Sequence, residues 1–214
     1  MHQSVKNLIS IKKELESISN KLPSIIAVSK TFSISNILPL IDYGHVHFGE
    51  NKVQEALEKW KDIKEQFSQI KLHMLGKLQT NKVKFALPLF DFIHSLDNEK
   101  LAKKIATEQT KYQKKPKIFI QVNIGDEDQK SGINKHDLKN FYNYCNELNL
   151  DIIGLMCIPP VGVKTDVFFK EMSSLKNNLS LPDLSMGMSS DYLDATKNFS
   201  TYIRIGSKIF GKRS

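Results

Sequence analysis

Eight short apolar runs, separated by segments of helical periodicity, constrain this chain of 214 residues more than any other feature. The runs are Ser24–Lys30, His45–Gly49, Lys71–Gly76, Phe90–Ser95, Lys117–Asn123, Asp151–Cys157, Asp183–Met186 and Thr201–Ile205. Helical spacing follows the first seven, over 34–41, 52–67, 81–86, 99–112, 135–148, 164–179 and 191–197. No two runs are joined by a turn of hairpin length, so the strands are expected to pair in parallel with both faces buried. Eight strand–helix units suit a closed (β/α)8 barrel, with an open doubly wound sheet as the alternative. An extra N-terminal helix is expected over Val5–Ser19, where Val5, Leu8, Ile11, Leu15 and Ile18 fall on one face. No linker, repeat or low-complexity stretch interrupts the pattern, and residues 1–214 read as a single domain.

Composition then narrows the function. The chain holds 31 Lys and Arg against 23 Asp and Glu, a formal net charge of +8. That excess raises a nucleic-acid reading, but the lysines are scattered along helix faces as short clusters such as Lys100, Lys103 and Lys104. Such clusters read as solvated surface, and no nucleic-acid partner is expected. A basic surface also attracts small anions, phosphates included. No apolar run approaches the roughly 18 residues of a membrane span. Charges at Lys12, Lys13, Glu14 and Glu16 break up what a signal peptide would need as its apolar segment. Two cysteines, Cys145 and Cys157, are too few for a disulfide framework and read as free thiols. The expected location is the cytoplasm. His45, His47 and His73 invite a metal reading, but no carboxylate pair or third ligand supports it, and no metal is expected.

In a parallel barrel the chemistry sits at the C-terminal ends of the strands. That rule selects Lys30, Glu50 and Asn51, Gly76 and Lys77, Ser95, Asn123, Met156 and Cys157, Ser185–Ser189, and Arg204–Ser207. Lys30 ends an otherwise apolar run, where a charge is costly. A desolvated lysine can act as an amine nucleophile toward an aldehyde; the alternative is a lysine that reaches out to solvent from a strand end. Gly187 with Ser189, and Gly206 with Ser207, follow the last two strands, where barrels often bind phosphate. Their alternative role is helix capping. An aldehyde-bearing, phosphorylated cofactor would satisfy both features, and pyridoxal 5′-phosphate (PLP) is such a molecule.

The motifs occur in a recognisable order. They are Ile26-Ala-Val-Ser-Lys-Thr31, His47-Phe-Gly-Glu-Asn51, Gly76-Lys-Leu-Gln-Thr-Asn-Lys82, Gln121-Val-Asn-Ile-Gly125, Gly154-Leu-Met156, Leu184-Ser-Met-Gly-Met-Ser189 and Arg204-Ile-Gly-Ser207. Together, over about residues 24–212, they resemble the pyridoxal phosphate homeostasis proteins, the YggS/PROSC-like family. The resemblance implies a barrel like the N-terminal domain of alanine racemases, with Lys30 as the Schiff-base lysine. It implies that Ser189, Gly206 and Ser207 bind phosphate, that Arg204 faces the pyridine nitrogen, and that Asn51 and Met186 lie around the ring.

Carbanion chemistry on PLP relies on a protonated ring nitrogen, and Arg204 can only donate to it. A racemase also needs bases on two faces of the α-carbon. Only Lys30 is evident, since Tyr192 and Tyr202 read as packing aromatics, and the sequence ends soon after its eighth run. The expectation is a non-catalytic carrier that holds PLP and delivers it, with PLP-dependent apo-enzymes as candidate recipients; the alternative is a weak amino-acid racemase or lyase. A monomer is expected, because racemase-type dimers rely on a further domain.

Overall fold

In the computed structural model, which describes residues 1–127 and 129–211, the eight strands close into one parallel barrel in sequence order. The expected span of 1–214 therefore includes residues 128 and 212–214, which lie outside the described residues. The strands are β1 (Ser24–Val28), β2 (His47–Glu50), β3 (Lys71–Met74), β4 (Phe92–Leu96), β5 (Lys117–Gln121), β6 (Asp151–Met156), β7 (Asp183–Ser185) and β8 (Tyr202–Ile205). Each pairs in parallel with its neighbour, and β8 closes on β1 with Ile203 opposite Ile25. Closure removes the two open edges that a doubly wound sheet would keep.

The helices are α1 (Gln3–Glu16), α2 (Ile34–Asp42), α3 (Val53–Gln66), α4 (Val83–Leu89), α5 (Glu99–Tyr112), α6 (Leu138–Glu147), α7 (Asp166–Asn178), α8 (Tyr192–Lys197) and α9 (Ser207–Phe210). The one element the apolar pattern does not announce is α9, whose four residues are too few to show a period. It is also too short to cover the β8–β1 seam. The N-terminal helix α1 takes that place, packing against α2, α8 and α9. Asn7 ties it to α9 by donating to the Ile209 carbonyl at 2.9 Å.

The apolar residues fill the layer between strands and helices, where Trp60, Phe48, Phe90 and Phe169 are fully buried. Inside the barrel lies a second, aromatic-rich cluster of Phe92, Phe119 and Met156, with Tyr202 packed against it. Cys145 and Cys157 are both buried free thiols, and burial pushes each pKa up to about 12. Among the described residues no helix is long and apolar enough to cross a membrane, and no three His, Cys, Asp or Glu side chains are grouped to hold a metal ion.

Candidate functional site

A cavity of about 600 Å³ opens at the C-terminal end of the barrel. That size matches the roughly 300–1,000 Å³ of small-molecule sites. Lys30, Asn51, Ser189, Arg204, Gly206 and Ser207 all line it. The barrel rule thus brings together six residues from the ends of β1, β2, β7 and β8. Met186 is the exception. It is fully buried in the apolar layer outside the barrel, because the alternation that turns Ser185 inward turns the next side chain outward. Met156 and Met188 line the cavity in its stead.

Lys30 sits two residues beyond β1, half-buried, on a loop that is held from both sides. Before it, Ser29 donates its amide to Gly49 at 2.9 Å and its hydroxyl to Glu50 Oε1 at 2.7 Å. After it, Thr31 adopts φ of 70° and donates its amide to Glu55. Lys59 Nζ, from α3, donates to the Ser29 carbonyl at 2.9 Å. Asn51 is placed by backbone contact: a Cβ on Gly76 would lie 2.2 Å from the Asn51 carbonyl oxygen, so the β3 loop must carry glycine to pass there. Ser95 then anchors Gly76 by donating to its carbonyl at 2.7 Å.

The two loops expected to bind phosphate reach the cavity for different reasons. Gly187, at φ +93°, presses the β7 loop onto α8, where a Cβ would lie 2.5 Å from Ala195 Cβ. It does not line the cavity, and its role is packing. Asp191 closes the following turn, accepting from the Met188 amide at 2.6 Å. In the β8 loop, a Cβ on Gly206 would meet nothing nearer than Val28 at 3.5 Å, which leaves open space for a ligand. The amides of Ser189, Ser190, Gly206 and Ser207 find no acceptor among the described residues. Ser207 begins α9, and the first amides of a helix have no partner within it. The loops after β7 and β8 thus bring three serines, Ser189, Ser190 and Ser207, and several uncommitted amides to one cavity, a donor set suited to an anion.

Arg204 closes the floor. It is 6% exposed, and three of its five N–H donors are committed, to the Ser185 carbonyl at 2.7 Å, the Ser185 hydroxyl at 2.8 Å and the Cys157 carbonyl at 2.8 Å. Burial pulls its pKa down, opposed by Cys157 and Asp191.

Phe32 and Leu75 also line the cavity, and only their positions just past β1 and β3 could have marked them. Phe32 stacks on Phe210 at 4.8 Å, joining the loops after β1 and β8. Tyr192 and Tyr202 do not line the cavity. Tyr192 bonds Glu14 and Lys208 on the outer layer, and Tyr202 packs inside the barrel against Phe92 at 5.7 Å. His45 and His47 do not share a face. His45 packs edge-on to Phe48 in the outer layer and bonds the His47 carbonyl at 2.9 Å, whereas His47 points into the barrel toward His73.

The family model "Alanine racemase, N-terminal domain" matches residues 7–214. The pyridoxal phosphate homeostasis protein of Aquifex aeolicus is 37% identical over 88% of this chain and 86% of its own length. That of Pasteurella multocida is 35% identical over 100% of this chain and 94% of its own. Among solved structures, PipY of Synechococcus elongatus, solved with PLP bound, is 32% identical with a TM-score of 0.89, covering 98% of this chain and 100% of that one. Alanine racemase of Clostridium difficile, 13% identical with a TM-score of 0.76 over 99% of this chain and 57% of that one, shares the barrel fold. With the barrel, the site motifs and full-length identity in agreement, the chain belongs to the pyridoxal phosphate homeostasis protein family.

Proposed function

We propose that the cavity holds pyridoxal 5′-phosphate through Lys30 and the loops after β7 and β8, and that the protein stores and delivers this cofactor without robust turnover. The observation that carries the reading is the convergence in one cavity of a primary amine, a donor-only guanidinium and two loops with uncommitted amides. The PLP-bound structure of PipY, a relative over the whole chain, supports it. When bound, PLP supplies an aldehyde that condenses reversibly with a primary amine, and a pyridine ring that can draw electron density from an attached amino acid.

Lys30 provides the amine, on a loop whose two flanks are pinned. Ser189, Gly206 and Ser207 donate to the phosphate, Asn51 and the two methionines Met156 and Met188 enclose the ring, and Arg204 donates to its nitrogen. An arginine carries no acceptor, so it disfavours the protonated ring that carbanion chemistry needs. Among the described residues no carboxylate and no tyrosine lines the cavity, and Lys30 is the one group there suited to proton transfer at a substrate carbon. These features favour retention and transfer of the cofactor to apo-enzymes over racemisation.

The test is borohydride reduction of PLP-saturated protein followed by peptide mass spectrometry, paired with racemase assays on several amino acids. Label is expected on Lys30, and Lys30→Ala should take up none. Label on another lysine with Lys30 unmodified refutes the site, and racemisation at ordinary enzymatic rates refutes the carrier role.

A further inference from the structure

A chain of hydrogen bonds crosses the barrel interior from the cavity floor to the opposite end. Arg204 donates to the Ser185 hydroxyl, Ser185 Oγ lies 2.9 Å from His94 Nδ1, His94 Nε2 lies 2.9 Å from His73 Nδ1, and His73 Nε2 lies 3.0 Å from His47 Nδ1. The residues come from β8, β7, β4, β3 and β2. Ser185, His94 and His73 are fully buried. Stacking fixes the rings: His94 lies on Phe119 at 4.3 Å and His73 on Phe92 at 4.1 Å.

Donor counting gives this chain a direction. Arginine only donates, so the Ser185 oxygen must accept from it. The one Ser185 proton then needs an acceptor, and His94 Nδ1 is the available one among the described residues. His94 therefore carries its proton on Nε2 and donates to His73, which by the same logic donates to His47. The reverse arrangement would leave the serine proton without a partner in a dry core, which is costly. In that reverse arrangement His94 and Arg204 would both donate to the Ser185 oxygen.

We propose that His94 and His73, with Ser185 and His47, are positioning residues that hold the Arg204 guanidinium at the cavity floor by imposing one hydrogen-bond polarity across the barrel. Its binding consequence rests on the PLP reading of the cavity; the polarity itself does not. All but one of the charged and titratable groups around the chain favour neutral imidazoles, the exception being Asp91 beside His47. Arg204 acts on His94, while His45 and Lys64 act on His73. Lys71 and Asp91 flank His47, and Tyr202 packs against all three rings. Burial, the largest effect for each, holds the three histidines below the ordinary imidazole pKa.

Two measurements test this. The first is two-bond proton–nitrogen NMR on wild-type protein with 15N-labelled histidine at about pH 8, where an imidazole of ordinary or lowered pKa is neutral and only the tautomer is read. His47, His73 and His94 should each appear neutral, with Nε2 protonated and Nδ1 bare. A proton on Nδ1 of any of the three overturns the proposal. The second compares PLP dissociation constants of His94→Leu and His94→Asn, because asparagine places an acceptor where Nδ1 stood. The leucine variant should bind PLP about tenfold more weakly, the loss of one hydrogen bond, and the asparagine variant should stay within about threefold of wild type. Equal weakening by both, or none by leucine, overturns the positioning role. If wild-type protein takes up no PLP, the cofactor reading fails, and the NMR spectra still decide the polarity.

Discussion

Ser207 stands where an unpartnered amide and a hydroxyl face the same cavity. A hydrogen bond to a charged group contributes about 1.5–3 kcal/mol. Ser207→Ala should therefore weaken PLP binding by about tenfold to a hundredfold, while pyridoxal, which has no phosphate, should bind the two proteins alike. Fluorescence titration with both ligands checks this, and equal losses would place Ser207 away from the phosphate. For single residues, much of the cavity lining was legible in the sequence, because a residue's place at a strand end follows from the strand pattern alone. Met186 was not. Whether a side chain next to a strand end turns inward or outward depends on one residue of register, which neighbouring strands decide.

Helix α3 does more than cover β2. Its Lys59, only 9% exposed, donates at 3.0 Å to both Glu50 and Glu55, and through Ser29 and Thr31 these three fix the loop that carries Lys30. Glu50 is fully buried and also accepts from Trp60 at 2.9 Å. Removing the cation would strand a buried carboxylate, a change that typically costs about 3–5 kcal/mol. Lys59→Met should lower stability by about that amount in chemical denaturation, and PLP uptake at saturating cofactor should slow. Unchanged stability would show that Glu50 does not depend on Lys59. The helical period announced α3 but not this task, since the partners Ser29, Glu50 and Lys59 fall in a loop, a strand and a helix that are separate in the sequence. The short α9, likewise, becomes visible only where it abuts the long N-terminal helix α1.

The barrel as a whole should be acid-sensitive. Burial lowers the His45 pKa from its ordinary 6.5 to about 4, and lowers those of His47, His73 and His94 as well. Between those two values the unfolded chain binds more protons than the folded one, so stability rises with pH across this window and falls on acidification. His45 alone should account for about 3 kcal/mol of loss by pH 4. Guanidinium denaturation at a series of pH values should show the midpoint dropping below pH 6.5, with a shallower drop in His45→Phe. A midpoint flat from pH 7 to pH 4 would mean that these imidazoles are solvated in the folded protein.

The order of strands and helices, their parallel pairing, and the strand ends that bear an amine, an arginine and two glycine–serine turns follow from local patterns in the sequence. Those signals are local, since an apolar period or a motif is complete within one segment. That α1 seals the last seam of the expected barrel, and that His47, His73, His94 and Ser185 meet, is visible only in the three-dimensional structure. His94 and Ser185 are 91 residues apart, and nothing in either segment records the other. Their contact exists because closure of the barrel points alternate side chains of distant strands into one narrow interior, where each polar group must find a partner.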